Sequence, residues 1–188
     1  MAKHGIFEST KLNGCMNVSF VADVDVDNGS IVANGGLADD YTDVYTASMP
    51  TANDKVYVVG HPVYGYDERL AEDKNEDNYT NEAGRPFRTY ELKADRKFKV
   101  SSDMITPIDG STPVAVGQYV SADGTYKLKA SGDAPADTKF VGIVETIEET
   151  GFPYFGGSAG VQTSDMGYVL DTRIVKVKIR VIKNNDYR

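Results

Sequence analysis

The chain has 188 residues, a net charge of −8 at pH 7 and a sequence pI of about 4.8. A chain of this length buries a substantial core, and its acidic balance excludes a general basic surface for nucleic acid, because phosphate backbones repel it. Cys15 is the one cysteine, which excludes an intramolecular disulfide scaffold. No apolar run approaches the roughly 18 residues that span a bilayer.

Eighteen glycines, seven prolines and twelve tyrosines, with no tryptophan, favour short strands joined by tight loops. Residues 1–16 lack the apolar core of a signal peptide. The expectation is synthesis in a reducing host cytoplasm and no insertion into a membrane. The same residues show no sustained periodicity and read as an N-terminal arm ordered by a partner.

From Val18 the pattern alternates. Val18, Phe20, Ala22, Val24 and Val26 fall on one face, with Ser19, Asp23, Asp25 and Asp27 on the other. This is one strand with a buried face. Asn28-Gly29 then signals a type I′ hairpin, with Ser30–Ala33 returning. Residues 34–54 are polar, with Tyr41, Val44 and Tyr45 as anchors. Lys55–Val59 reads as a strand, stopped by Gly60-His61-Pro62. Asp67–Gly84 is charged and long for a loop, which predicts an exposed polar insertion near 61–86. Phe87–Lys93 and Lys97–Ser101 read as two more strands.

The clearest block is 107–148. Pro113–Ser121 predicts a strand interrupted at Gly117, Ala122-Asp123-Gly124 a turn, Thr125–Ala130 a strand and Lys139–Ile147 another. Residues 151–167 read as a glycine-rich loop, and Tyr168–Lys183 as one long strand. Its apolar face is Val175, Val177, Ile179 and Val181. The expected fold is all-β: a small β-barrel or sandwich with an N-terminal arm (1–16) and long polar loops on a single domain (17–188).

Few residues offer chemistry. Asp23, Asp25 and Asp27 resemble a calcium loop, but glycine is seventh and Asn34 twelfth, where an EF-hand needs glycine sixth and glutamate twelfth. A solvated strand face explains them. His4, His61 and Cys15 do not make a zinc set. Cys15 lies in the arm, away from any pocket that would activate it. Glu145, Glu148 and Glu149 crowd one strand end and read as solvated charge, not as a hydrolase pair across a cleft. No metal, cofactor or catalytic set is read from the chain, so an enzyme is not expected.

Two features carry a partner-binding reading. Lys176, Lys178 and Arg180 form a basic stripe on the last strand, either an edge guarded against aggregation or a face that docks on an acidic neighbour. Phe152, Tyr154 and Phe155 cluster in the glycine-rich loop, as a lid on the core or as anchors in a partner. The tyrosines Tyr41, Tyr45, Tyr57, Tyr64 and Tyr66 raise a further reading, stacking on sugars.

The run from Thr112 to Ala130 (TPVAVGQYVSADGTYKLKA), followed by Phe140-Val-Gly-Ile-Val-Glu, resembles the small β-barrel of tailed-phage head-decoration, or capsid cement, proteins. In that family a G-x-x-V strand leads to a glycine turn, a short strand, a loop of small residues and a V-G-I-V strand. The resemblance covers about residues 107–148. It implies a virion protein on the outer capsid surface, often a trimer, that clamps neighbouring major capsid subunits. A tail-tube or head-fibre protein of a phage, or a carbohydrate- or host-surface-binding module, are the alternatives.

Overall fold

Two apolar runs lack the alternation of a half-buried strand: Ser30-Ile31-Val32-Ala33 and Val56-Tyr57-Val58-Val59. Runs of that kind suit strands covered on both sides. The computed structural model describes residues 4–63, 76–151, 153–156, 168–171 and 174–185, and it is almost entirely β. Its strands are β1 (Phe7–Lys11), β2 (Asn17–Val21), β3 (Val26–Asp27), β4 (Ile31–Leu37), β5 (Val44–Ser48), β6 (Tyr57–Val59), β7 (Thr80–Asn81) and β8 (Phe87–Glu91). They continue as β9 (Lys97–Ser101), β10 (Ile105–Thr106), β11 (Tyr119–Ala122), β12 (Leu128–Ser131), β13 (Phe140–Thr150), β14 (Pro153–Gly156), β15 (Tyr168–Asp171) and β16 (Ile174–Asn184).

Strands β2-β5-β4-β6-β8 close into a barrel, and β1-β9-β16-β13-β11-β12-β10 form a seven-stranded sheet. β4 and β6 are walls common to two cores. Val32 and Val59 point into the barrel with Phe20, Ala22, Val26, Ala47 and Phe87. Ile31 and Val58, one residue away in each strand, join Phe98, Val100, Leu128, Phe140, Val144 and Ile179 in the core of the sheet. The all-β expectation therefore holds, with a barrel and a sheet sharing a wall.

Side-chain amides extend this join. Asn184, at the end of β16, donates to the carbonyls of Val56 (2.8 Å) and Leu92 (2.7 Å) and accepts from the Val56 N–H (3.0 Å). Asn28 makes the same two-way contact with His61, donating to its carbonyl and accepting from its N–H, each at 3.0 Å. Each amide imitates a strand neighbour where the backbone ladder is interrupted.

Four expectations are corrected. The N-terminal residues are no arm: β1 pairs with β9 at the sheet edge, Ile6 and Leu12 are buried, and Phe7 stacks on Tyr90 with centroids 5.4 Å apart. The alternating run from Val18 is not one strand, since β2 ends at Val21 and Val24 is exposed. Asn28-Gly29 makes no type I′ hairpin. Gly29 has φ 85°, but Asp95 is the one non-glycine with positive φ among the described residues, and the flanking β3 and β4 pair elsewhere, with β7 and with β5 and β6. Finally, 168–183 is not one strand but contains β15 and most of β16, each in its own ladder.

The 107–148 block contributes β11, β12 and part of β13 to the sheet, while the closed barrel lies upstream between Asn17 and Glu91. Residues 113–118 are outside any strand, and Gly124 (φ 71°) turns the chain as expected. Of the polar insertion, 64–75 lies outside the described residues.

Gly142 explains the glycine of the V-G-I-V strand. A Cβ there would sit 2.7 Å from Ile179 Cγ2 and 2.9 Å from Val120 Cγ2. Gly142→Ala is expected to lower stability by about 1–3 kcal/mol through overpacking. Ile6→Ala should cost about 2–4 kcal/mol by leaving a cavity. Urea melts of both variants check this. An unchanged midpoint for Ile6→Ala would restore the N-terminal residues to the status of a detachable arm.

Candidate functional site

The basic stripe occupies the outer face of the sheet, and the neighbouring strands add to it. Lys97 and Lys99 of β9 stand directly opposite Arg180 and Lys178 of β16. Like charges in register repel. Carboxylates on the two flanking strands offset that repulsion: Glu8 on β1 and Glu145 and Glu148 on β13. Glu8 bonds Lys176 and lies 3.7 Å from Lys99, which in turn reaches Glu148 at 2.6 Å. Lys97 meets Glu145 at 2.7 Å, and Arg180 Nε donates to the same carboxylate at 2.9 Å. The order across four strands is acid, base, base, acid.

A bulge makes this possible. Val144 pairs with Ile179 and Thr146 with Lys178, so Glu145 is the extra residue and turns outward beside Thr146. It reaches both cations from there. The expectation of solvated charge at Glu145 and Glu148 is thus corrected: both close the flank of a charge ladder, as does Glu8. The signal in the sequence was the Lys97/Lys99 alternation that mirrors Lys176/Lys178. The stripe itself is half-buried, with Lys176 paired to Glu8, Arg180 paired to Glu145 and Lys178 in the field of Glu148, and the Lys176 side chain is 14% exposed.

These contacts shift the groups in the expected directions. The hydrogen bond from Lys97, then Arg180, holds the Glu145 carboxyl below its ordinary range, and Lys99 does the same for Glu148. The bond to Glu148 pushes Lys99 upward.

The aromatic cluster is divided. Phe152 lies outside the described residues, while Tyr154 and Phe155 belong to β14, in register with Leu170 and Val169 of β15. The loop expected over 151–167 therefore begins as a strand. The β13–β16 ladder runs in register from Thr146↔Lys178 to Thr150↔Ile174, and β14 and β15 pair with each other as a two-stranded sheet of their own, from Pro153↔Asp171 to Gly156↔Tyr168. β9 accompanies β16 at 176–180, and β11 accompanies β13 at Gly142 and Ile143.

Beside β13 and β16 lies an open apolar groove of about 620 Å³. Ile147, Val175 and Val177 form one wall, and Ile105, Pro107 and Val114 the other. A smaller polar pocket of about 260 Å³ adjoins His61 and Tyr79, whose rings stack at 6.2 Å. His61 Nδ1 accepts from the Arg88 N–H at 3.2 Å, and burial, aided by Arg88, pushes its pKa down.

Other expected residues fall elsewhere. Tyr45 and Tyr57 pack on Phe20 with centroids 6.0 and 5.2 Å away, so the barrel core uses faces that a sugar platform needs. Tyr64 and Tyr66 lie outside the described residues. Asp25 accepts from the Ala83 N–H, and Asp27 meets His4 at 2.9 Å. Among the described residues no group of three His, Cys, Asp or Glu side chains is placed to hold a metal, and no helix is long and apolar enough to cross a membrane. Comparison with protein-family profiles, curated proteins and solved structures gave no match.

Two outcomes follow. Lys176→Glu/Lys178→Glu places acid beside Glu8 and Glu148, so the free protein should melt about 2–6 °C lower; an unchanged melting temperature would mean that the ladder carries no stability. The pH dependence has a definite sign. Glu145 is depressed on folding, so its contribution is present above the unfolded carboxylate value of about 4.3 and is lost as pH falls through the lower folded value. Lys99 is raised, so its contribution is present below the unfolded value of about 10.4 and is lost as pH rises through the folded one. In acid melts, Glu145→Gln should flatten the stability loss below about pH 4.

Proposed function

We propose that the protein is a virion structural protein that decorates and stabilises a phage capsid by bracing neighbouring major capsid subunits. The observation that carries this reading is the distribution of unfinished surface. Most cations on the charged face of the sheet are paired within the chain, whereas an apolar groove of about 620 Å³ lined by Ile105, Val114, Ile147, Val175 and Val177 is left open. Such a feature binds by burying area and shape, which is how a brace works. Bracing acts by adding interface: each copy that buries about 1,200–2,000 Å² across a subunit boundary adds contacts that shell expansion must break.

Further support comes from the 107–148 block. Its element order is a strand after Gly117, a turn at Gly124, a short strand, a loop of small residues and the strand bearing Val141-Gly142-Ile143-Val144. That is the order the resemblance to head-decoration proteins implies. On this reading the protein is made in the host cytoplasm, occupies the outer capsid surface and works as a homo-oligomer, as the trimers of that family do.

The test is co-sedimentation of the purified protein with expanded empty shells built from the major capsid protein of the same genome. Saturable binding and a higher melting temperature of the shell are expected. Absence of binding overturns the proposal. Binding to polymerised tail tubes in place of shells would transfer the protein to the tail.

A further inference from the structure

We propose that the Asn34-Gly35 peptide of β4 is a site of spontaneous modification, at which the chain closes a succinimide ring and reopens as an aspartyl or isoaspartyl peptide. The inference stands apart from the bracing role and does not depend on it.

The chain holds three Asn-Gly pairs, Asn13-Gly14, Asn28-Gly29 and Asn34-Gly35. Asparagine before glycine is the sequence context most open to this reaction, since glycine brings no Cβ to crowd the attack of its nitrogen on the asparagine side chain. The fold treats the three pairs differently. Asn28 is buried and its amide is held at both ends. It donates to the His61 carbonyl and accepts from the His61 N–H, each at 3.0 Å, and the Asn81 amide adds a third bond at 3.3 Å. The Gly29 N–H is bound to the Val59 carbonyl at 2.8 Å. Neither the electrophile nor the nucleophile is available there without local opening. Asn13-Gly14 is exposed but forms the centre of a turn, closed by the Cys15 N–H on the Leu12 carbonyl at 3.0 Å and fastened by Lys93 on the Gly14 carbonyl at 3.2 Å.

Asn34 lies where β4 leaves the shared wall, with Ile31, Val32 and Ala33 buried and Asn34, Gly35 and Gly36 exposed. The ladder with β5 pairs Asn34 with Ala47 and Leu37 with Tyr45, so Gly35 and Gly36 together oppose Thr46 in a bulge. Gly36 has φ 112°, which only glycine adopts readily, and a Cβ there would meet nothing within 4 Å. Asn34 Oδ1 accepts from the Gly36 N–H at 2.9 Å. A side chain bonded to the backbone two residues on folds over the intervening peptide, which sets the Asn34 Cγ beside the Gly35 nitrogen. The same N–H polarises the amide carbonyl and is aimed at the oxygen that gains charge on attack.

The step balances with water as the one co-reactant. The Gly35 nitrogen gives up its proton to water and attacks Asn34 Cγ, forming a C–N bond and closing the ring. Nδ2 takes a proton back from water and leaves as ammonia. Water then adds to one of the two ring carbonyls. Opening at the side-chain carbonyl gives an aspartyl peptide, and opening at the backbone carbonyl gives an isoaspartyl peptide whose main chain runs through Cβ. Nothing is oxidised or reduced. Either product adds a negative charge to a chain of net charge −8, and the longer isoaspartyl backbone falls in a bulge that is already out of the ladder.

The experiment incubates the folded full chain at neutral pH in water enriched in heavy oxygen, with a sample denatured in guanidinium chloride alongside. The tryptic fragment 12–55 carries all three pairs and is mapped by mass spectrometry. Heavy oxygen marks only conversions that precede digestion in ordinary water, and electron-transfer fragmentation places each label and separates aspartate from isoaspartate. In the folded chain the label should gather first at position 34, mostly as isoaspartate, with position 28 at least about tenfold slower because it waits for local opening. In the denatured chain the three positions should converge. Asn34→Gln should abolish the label at position 34, because the longer side chain does not close the five-membered ring. Labelling that starts at position 13, or equal rates at 28 and 34 in the folded chain, overturns the proposal. So does aspartate without isoaspartate, or a label that persists in Asn34→Gln, since either would mean direct hydrolysis of the side chain with no ring. A lead of position 34 that survives denaturation would trace the effect to sequence alone and overturn the assignment to the fold.

Discussion

Strands β4 and β6 are covered on both sides, and the molecule is built around that constraint. Ile31 and Val58 serve the core of the sheet, while Val32 and Val59 serve the interior of the barrel. All four are fully buried. A barrel of five short strands encloses little volume, and its inner core is the smaller of the two. Sharing its wall with a seven-stranded sheet lets one set of residues stabilise both units. Asn28 and Asn184 become necessary in this arrangement, because buried backbone groups where the two units meet need partners that the sheet ladders do not supply.

The outer face of the sheet obeys a different rule. Placing Lys99 opposite Lys178 and Lys97 opposite Arg180 is unfavourable on its own. The arrangement holds because each cation row has an acidic strand on its far side, and because one bulge frees Glu145 to serve two cations at once. Four of the five cations make direct ion pairs within the sheet, which weakens the field that the face presents.

Period-two patterning identified strands with one wet face. Lys97–Ser101 and the basic run of β16 were legible because lysines alternate there with buried Phe98, Val100, Val177 and Ile179. Partners were not legible. Nothing local says that β1 completes the sheet against β9, or that β2 and β5 close the barrel as its parallel pair. Asn28-Gly29 carried a strong local hairpin signal, and tertiary packing overrode it because Asn28 is buried against His61 and Asn81. The role of Glu145 was hidden for a related reason: a bulge changes the face of a residue without changing the residue types around it. The aromatic cluster was visible as composition, but the pairing of β14 with β15 depends on register, which no single segment encodes.

One connection also orders the chain in time. β16 lies between β9 and β13, and its Asn184 ties down Val56 and Leu92, yet it is translated after every other strand described. While the ribosome is still at work, β9 and β13 each lack their central neighbour and the apolar wall of β4 and β6 has no complete sheet to lie against. Closure therefore waits for the last strand, and the nascent chain carries open strand edges until then. Completion of the sheet is thus dominated by contacts between distant parts of the chain.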